Sequence, residues 1–465
     1  MNAVVKEENS PNESNVSLAK RSADRYSLRH ILARLSERAN LRKVIANIWW
    51  LSFNNAAKLI LGLFVGIWVA RYLGPANYGV LNYAGSFVQI AAIVATLGLD
   101  GIVSRNVVRN NEKKEIIMNT AFAMKMISGV IAYLGLFLIM IYFYPTNTIL
   151  RTVTMIYGAS LLFKSLGVVK AWYDAQLQSK YFAYASLVSL LVASSIKIAL
   201  IVRQASLPYF AFALMFDVVL ANLLLALYFR IKGEMRLKWK MNIDLAISML
   251  KDGAPLILSS MIVVFNMSVN KLMLGSYSTS SEVGVYSVAA LMSGVFYFVV
   301  TALSVSVSPN LINKIKLGYD KYLIDLQKIY ALLTSLAIIV ALPISIFAQY
   351  IIKLTYGSAY MGAAPVLAVQ IWSALFVFHV SMRKKAFIIE NKSNLVMIYS
   401  FFTLLSNITF NMLLIPRYQA LGASIAFLLS WAVSVLFLPI FSRRGSSQII
   451  MFIKSFNPMV ILRSG

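Results

Sequence analysis

The chain has 465 residues, 59% hydrophobic and only 13% charged, with a mean hydropathy of +0.74, a balance that a soluble domain of this size does not tolerate. It has no cysteine and two histidines, His30 and His379, which excludes disulfide frameworks, thiol nucleophiles and cysteine–histidine metal clusters. A formal charge of +26 would suggest nucleic acid in a soluble protein, but among long apolar segments it has first to be read as topology.

Residues 1–45 form a basic segment, and 1–25 read as unstructured. Over 26–45, YSLRHILARLSERANLRKVI, residues Leu28, Ile31, Leu32 and Leu35 recur at helical spacing with Arg29, Arg34, Arg38, Arg42 and Lys43 between them. That stretch is either a basic helix lying on anionic lipid or a solvated tail that fixes orientation. No short apolar run with a small-residue cleavage site follows Met1, so the first long apolar stretch, from about Ala46, reads as an uncleaved span. Twelve runs long enough to cross about 30 Å of hydrocarbon centre near residues 58, 92, 130, 160, 192, 219, 264, 297, 338, 376, 405 and 431. Several carry Gly or Pro, such as Gly62, Gly66, Pro255, Pro309 and Pro343, which membrane helices accept more readily than soluble ones.

The expected fold is all-α and integral to the membrane, with about twelve transmembrane helices. Residues 46–232 form one six-helix lobe, 233–250 a cytoplasmic linker, 251–441 a second six-helix lobe and 442–465 a cytoplasmic or interfacial tail. In that tail IIMFIKSFNPMVIL is too short, and too interrupted by Lys454 and Pro458, to span. Of the 43 Lys and Arg residues, all but five lie outside the spans and alternate along the connections. One set of connections carries several each, whereas the other carries at most one each: Arg71, Arg151, Arg203, Lys353 and Arg417. By the positive-inside rule both termini are cytoplasmic.

A weak internal repeat links YGVLNYA at Tyr78–Ala84 to VGVYSVA at Val283–Ala289. The two lie an even number of spans apart, so the halves would share one orientation and enclose a cavity between them.

Five cations fall inside spans: Lys58, Lys125, Lys164, Lys197 and Lys271. A charge at membrane depth costs at least about 2.5–3.5 kcal/mol, so such residues face a cavity or reach out to the headgroups. Lys58, near mid-span, and Lys197, toward the outer side, are the stronger cavity candidates. Lys125 and Lys164 lie toward the cytoplasmic side, where either role fits, and Lys271 is expected to snorkel. Two acids lie within spans. Asp217 is placed either to pair with a cavity lysine such as Lys197 or to exchange a proton in counter-transport. Asp100, close to Arg105, tunes the cytoplasmic boundary. His379 reads as a hydrogen-bonded packing residue. Gly74, Pro75, Tyr78 and Gly79 shape the turn between the first two spans, and Trp49, Trp50 and Trp68 anchor span ends. No residue reads as catalytic or metal-binding, and no GxxxxGK[ST] phosphate loop is present.

The segments RYLGPANYGVLNYAGSF (71–87) and LGLDGIVSRNVVRN (97–110), with NTAFAMK (119–125), QLQSKY (176–181), KLMLGSYSTSSEVGVYSVAA (271–290) and LLIPRYQALGASIA (413–426), resemble the O-antigen flippases of the polysaccharide transporter family. The likeness runs from about residue 45 to 442. That family belongs to the multidrug/oligosaccharidyl-lipid/polysaccharide exporter superfamily. The resemblance implies a flippase without a cofactor that moves undecaprenyl-diphosphate-linked oligosaccharide repeat units from the cytoplasmic to the outer leaflet of the inner membrane. It would work by alternating access and serve O-antigen, lipopolysaccharide, capsule or exopolysaccharide assembly beside a polymerase and a chain-length regulator. The sequence departs from the family pattern at Asn106 and Asn270, where acids are common, and at Lys125, where Arg is more usual. Two other readings remain: a cation-coupled multidrug antiporter, which would favour carboxylates in the cavity, and a membrane polysaccharide polymerase, which would need a sizeable outer loop.

Overall fold

A computed structural model describes residues 13–457 and 459 apart from 234, 236, 391 and 442–444, with side chains from residue 46 onward except at 48, 111, 255, 256, 298–302, 304–306, 308, 309, 393, 441 and 445–447. Every element among the described residues is helical. Helix α1 (Glu13–Thr96) is interrupted at Gly74, whose φ of 70° and ψ of 170° suit glycine alone. Pro75 then opens the second segment with its φ already set, so α1 is a hairpin of two spans. The unstructured reading of the N-terminus is corrected from Glu13 on, because a helix nucleated by an apolar span propagates cheaply. Residues 1–12, and the side chains of the basic stretch 26–45, lie outside the described residues.

Helix α2 (Asp100–Arg109) is short, and α3 (Lys114–Phe143) is the third span. The fourth is composite: α4 (Thr148–Gly158), a 3-10 stretch over Ala159–Gly167, then α5 (Val168–Ala175). Nine residues of 3-10 helix is an uncommon length. Here Gly129 of α3 admits the Leu161 carbonyl of the 3-10 stretch, and Gly158 admits the Leu136 side chain of α3, at distances a Cβ would forbid. Helices α6 (Lys180–Val202) and α7 (Leu207–Ile231) complete the first half.

The second half runs through α8 (Ile243–Tyr277), α9 (Ser280–Leu317), α10 (Tyr319–Ile346), the short α11 (Ala348–Thr355), a span made of α12 (Ala363–Gln370) and α13 (Ser373–Ile389), and α14 (Ser393–Leu436). Like α1, α14 is broken, at Gln419 (φ 50°, ψ −125°). Helix α15 (Gly445–Lys454) follows.

Nine stretches among the described residues are long and apolar enough to cross a membrane. Splitting two of them at Gly74 and Gln419 gives eleven segments, and α9 stands where the eighth run was expected. In α3 and α7 only 28% of the most apolar window is buried. Residues such as Val130, Ile131, Leu134 and Leu138 point outward, which hydrocarbon accepts and water would not. This is a multi-pass membrane protein.

The halves touch at both ends of the bundle. At the end bearing the Gly74 and Gln419 breaks, called the turn end, α1 crosses α9 so closely that a Cβ on Gly79 would lie 1.7 Å from the Ser280 carbonyl oxygen. A Cβ on Gly284 would lie 2.1 Å from the Pro75 carbonyl oxygen. The glycines hold matching places in the repeat, so the contact is reciprocal. The largest buried cluster forms around it, with Leu73, Tyr78, Val283, Tyr356 and Tyr360 among its members, and the Tyr360 hydroxyl donates to the Ala70 carbonyl at 2.8 Å. At the opposite, basic end, Arg105 meets Asp252 at 3.2 Å, and Gly98 and Gly253 admit Ile257 and Ile102.

Within the second half, α8 and α14 are joined by buried asparagines. Asn407 donates to Asn266 at 3.0 Å, Asn411 to Asn270 at 2.8 Å, and Asn270 to the Tyr286 hydroxyl at 2.7 Å. Amides spaced four apart on both helices meet as a ladder, since i and i+4 share a helical face.

Candidate functional site

Between the halves lies a cavity of about 260 Å³. One wall is a stripe of the first segment of α1, Gly62, Val65, Gly66 and Val69, where missing side chains make room. The next is Tyr78, Asn82, Gly85 and Gln89 from its second segment, at the spacing of one helical face. Tyr157, Ser194, Lys197 and Phe210 come from the rest of the first half, and Lys271 and Leu291 from the second. No carboxylate lines the space, and neither lysine forms a salt bridge among the described residues. Two ammonium groups from opposite halves therefore confront one small, partly polar chamber.

The five in-span lysines take different settings. Lys197 is among the residues that line the cavity. Lys271 is too, which corrects the snorkelling expectation: the α8 face carrying it turns toward α1 and not toward an interface. Lys58 is exposed one turn from the wall residue Gly62, with its ammonium 5.9 Å from the centre of the Phe182 ring. Lys125 is only 1% exposed and is paired to Asp100, itself 47% exposed, so it is no free cavity cation. Lys164, on the 3-10 stretch, lies within electrostatic reach of that pair.

Asp100 thus neutralises Lys125, while Arg105 bonds Asp252 across the halves. Asp217 makes no salt bridge with Lys197 among the described residues, although its charge acts on both Lys58 and Lys197. The Ser189 hydroxyl lies 2.5 Å from Asp217 Oδ1. Gly74, Pro75 and Gly79 occupy the turn and crossing, and Tyr78 has a second place in the cavity wall. His379 is buried: its Nδ1 donates to the Leu375 carbonyl at 2.7 Å, and its Nε2 faces Thr334 at 3.2 Å.

Sequence reasoning missed Asn82, Gln89 and Tyr157. The spacing of Tyr78, Asn82 and Gln89 along one helical face was the signal that could have found the first two. It also did not single out Arg383 and Lys384, which lie on α13, Arg383 buried.

A family model described as "Polysaccharide biosynthesis protein" matches residues 68–365. No curated protein matches by sequence. Among solved structures, the lipid II flippase MurJ in an inward closed conformation superposes with a TM-score of 0.66 at 16% identity, over 90% of this chain and 97% of that one. The Vibrio cholerae MATE transporter VcmN gives 0.60 at 13% identity, over 91% and 98%. A Pyrococcus furiosus transporter of the MOP superfamily, described as having a binding pocket of reversed polarity, gives 0.57 at 15% identity, over 91% and 96%. At such identities the likeness speaks for the fold, which is that of these transporters.

Proposed function

The chain belongs to the polysaccharide biosynthesis protein family, and from that premise we propose that it is a flippase for undecaprenyl-diphosphate-linked oligosaccharide repeat units. The observation that carries the reading is the cavity between the halves, lined by Lys197 from one half and Lys271 from the other, with no carboxylate in its lining. A diphosphate entering hydrocarbon needs fixed positive charge to replace its lost hydration. Lysines hold it as mobile point charges and release it more readily than a bidentate guanidinium would. Asn82, Gln89 and Tyr78 offer hydrogen bonds, and Tyr78 and Tyr157 flat faces, to the first sugar.

On this reading residues 46–232 and 251–441 are lobes that rock about the cavity. The basic end faces the cytoplasm of the inner membrane, and transfer runs outward. A volume of about 260 Å³ falls below the usual range of ligand pockets, so on this reading the lobes must part to admit the substrate. The basic end is the easier to open. Its Arg105–Asp252 pair has both side chains more than half exposed and such pairs contribute little, whereas the turn end is sealed by backbone against backbone. A multidrug antiporter shares the fold but would need anionic walls for cationic drugs, and these walls are cationic.

The test is a strain lacking this gene. Undecaprenyl-linked oligosaccharide should accumulate on the cytoplasmic leaflet and be cleared by the wild-type gene, but at least about tenfold less efficiently by Lys197→Ala or Lys271→Ala, the scale of one lost charge-assisted contact. Accumulation on the outer leaflet would refute the reading in favour of a polymerase. No accumulation would refute it in favour of drug export.

A further inference from the structure

The second half contains another set of cations that the cavity does not use. Arg383 is 5% exposed on α13. Its Nη2 donates to the Ser434 carbonyl at 2.7 Å and to the Ser434 hydroxyl at 3.0 Å, and its guanidinium stacks 4.9 Å from the Tyr399 ring centre. Those contacts use one nitrogen of a group with five N–H donors. Lys384 stands beside it, with its ammonium 5.9 Å from the Trp431 ring centre.

Both line a chamber of about 30 Å³ between α8, α13 and α14 that contains no acid. The nearby Glu390 is already engaged by Lys392 and by the Tyr322 hydroxyl. A buried guanidinium without a counter-charge is costly, and a chamber of about 30 Å³ holds two or so water-sized groups, room for the oxygens of a phosphate that reaches in from its open side. Asn266, Ser400 and Thr403 add polar groups to the walls, and Val380, Phe387 and Val396 apolar ones. Val263 and Met267, at 39% and 58% exposure, open the chamber toward the hydrocarbon side, and at Ile262 it meets a wholly apolar groove of about 620 Å³ between α8 and α14. An opening on the hydrocarbon side favours a phosphate carried on an apolar chain, which fits both parts.

We infer that Arg383 and Lys384 form a second anion site, separate from the central cavity, that takes the phosphate of a polyprenyl lipid while its chain lies in the apolar groove along α8 and α14. The choice of a polyprenyl lipid rests on the flippase reading.

The experiment is thermal unfolding of the purified full chain in detergent, titrated with undecaprenyl phosphate, with phosphatidylglycerol and with inorganic diphosphate, since a ligand that binds the folded state raises the midpoint. Undecaprenyl phosphate should stabilise saturably. Lys384→Gln, which loses no hydrogen bond among the described residues, should raise the half-saturating concentration about tenfold, and Arg383→Gln with Lys384→Gln further. Unchanged saturation in Lys384→Gln and in the double variant would overturn the site. Equal stabilisation by inorganic diphosphate or by phosphatidylglycerol would overturn the polyprenyl assignment. Failure of the wild type to bind undecaprenyl phosphate, in a strain where export still depends on this gene, would overturn the site and leave the flippase standing. Binding that depends on Arg383 and Lys384, with no export defect on deletion, would do the reverse.

Discussion

Replacing Gly79 by alanine should force the halves apart at the turn end. The new methyl carbon would lie 1.7 Å from the Ser280 carbonyl oxygen and 2.9 Å from the Gly284 nitrogen, whereas carbon and carbonyl oxygen come no closer than about 3.3 Å. The helices must therefore separate by roughly 1.5 Å or more. Overpacking a tight contact costs about 1–3 kcal/mol. The upper part of that range applies here, because the obstacles are backbone atoms and cannot swing aside as a side chain would. A penalty of about 2–3 kcal/mol borne only by the closed state shifts the balance toward an open turn end by about 30- to 150-fold. The chain has no cysteine, so spin labels can be placed without background at Ala76→Cys and Thr279→Cys, both exposed beside the crossing. Electron–electron distance measurements in lipid should show the short population depleted in Gly79→Ala. An unchanged distance distribution together with an unchanged melting midpoint would refute the reasoning.

Three further outcomes are expected. Asp100→Asn should lower the thermal midpoint more than Lys125→Met, because the first strands a lysine that is 1% exposed while the second leaves a half-exposed carboxylate to water; equal losses would contradict this. Asn411→Leu should cost about 0.5–2 kcal/mol, and a double-mutant cycle with Asn270→Leu should show coupling between the two; strict additivity in melting measurements would deny the ladder. Lys271→Ala and Lys197→Ala should lower export to a similar degree, whereas a snorkelling Lys271 would make its replacement neutral.

The fold was largely legible because hydrocarbon imposes a single rule on every span: enough apolar length, and backbone bonded within the helix. The breaks at Gly74 and Gln419 differ in this respect. The Gly74–Pro75 pair announces itself, while Gln419 takes a positive φ that its side chain does not advertise. The 3-10 course of Ala159–Gly167 was hidden, since its apolar residues suit an α-helix equally well and the tightening follows from contacts with α3. For the site, depth along a span could be counted but not the direction a side chain faces. Lys197 and Lys271 are alike in sequence, and only helix packing turns both to one cavity. Arg383 was lost among the three consecutive basic residues Arg383, Lys384 and Lys385, which break the apolar run one turn before α13 ends at Ile389.

The crossing of Gly79 with Ser280 and of Gly284 with Pro75 has the pattern of an isologous dimer contact folded into one polypeptide: each half presents a glycine to the other half's backbone and receives one in return. Such a contact is self-complementary. It would form equally well between two identical halves, so it places no demand on the halves to differ. Divergence was therefore free to act elsewhere, leaving lysines along the first half and amides and a buried arginine in the second. Symmetry supplied the joint, and asymmetry the chemistry arranged around it.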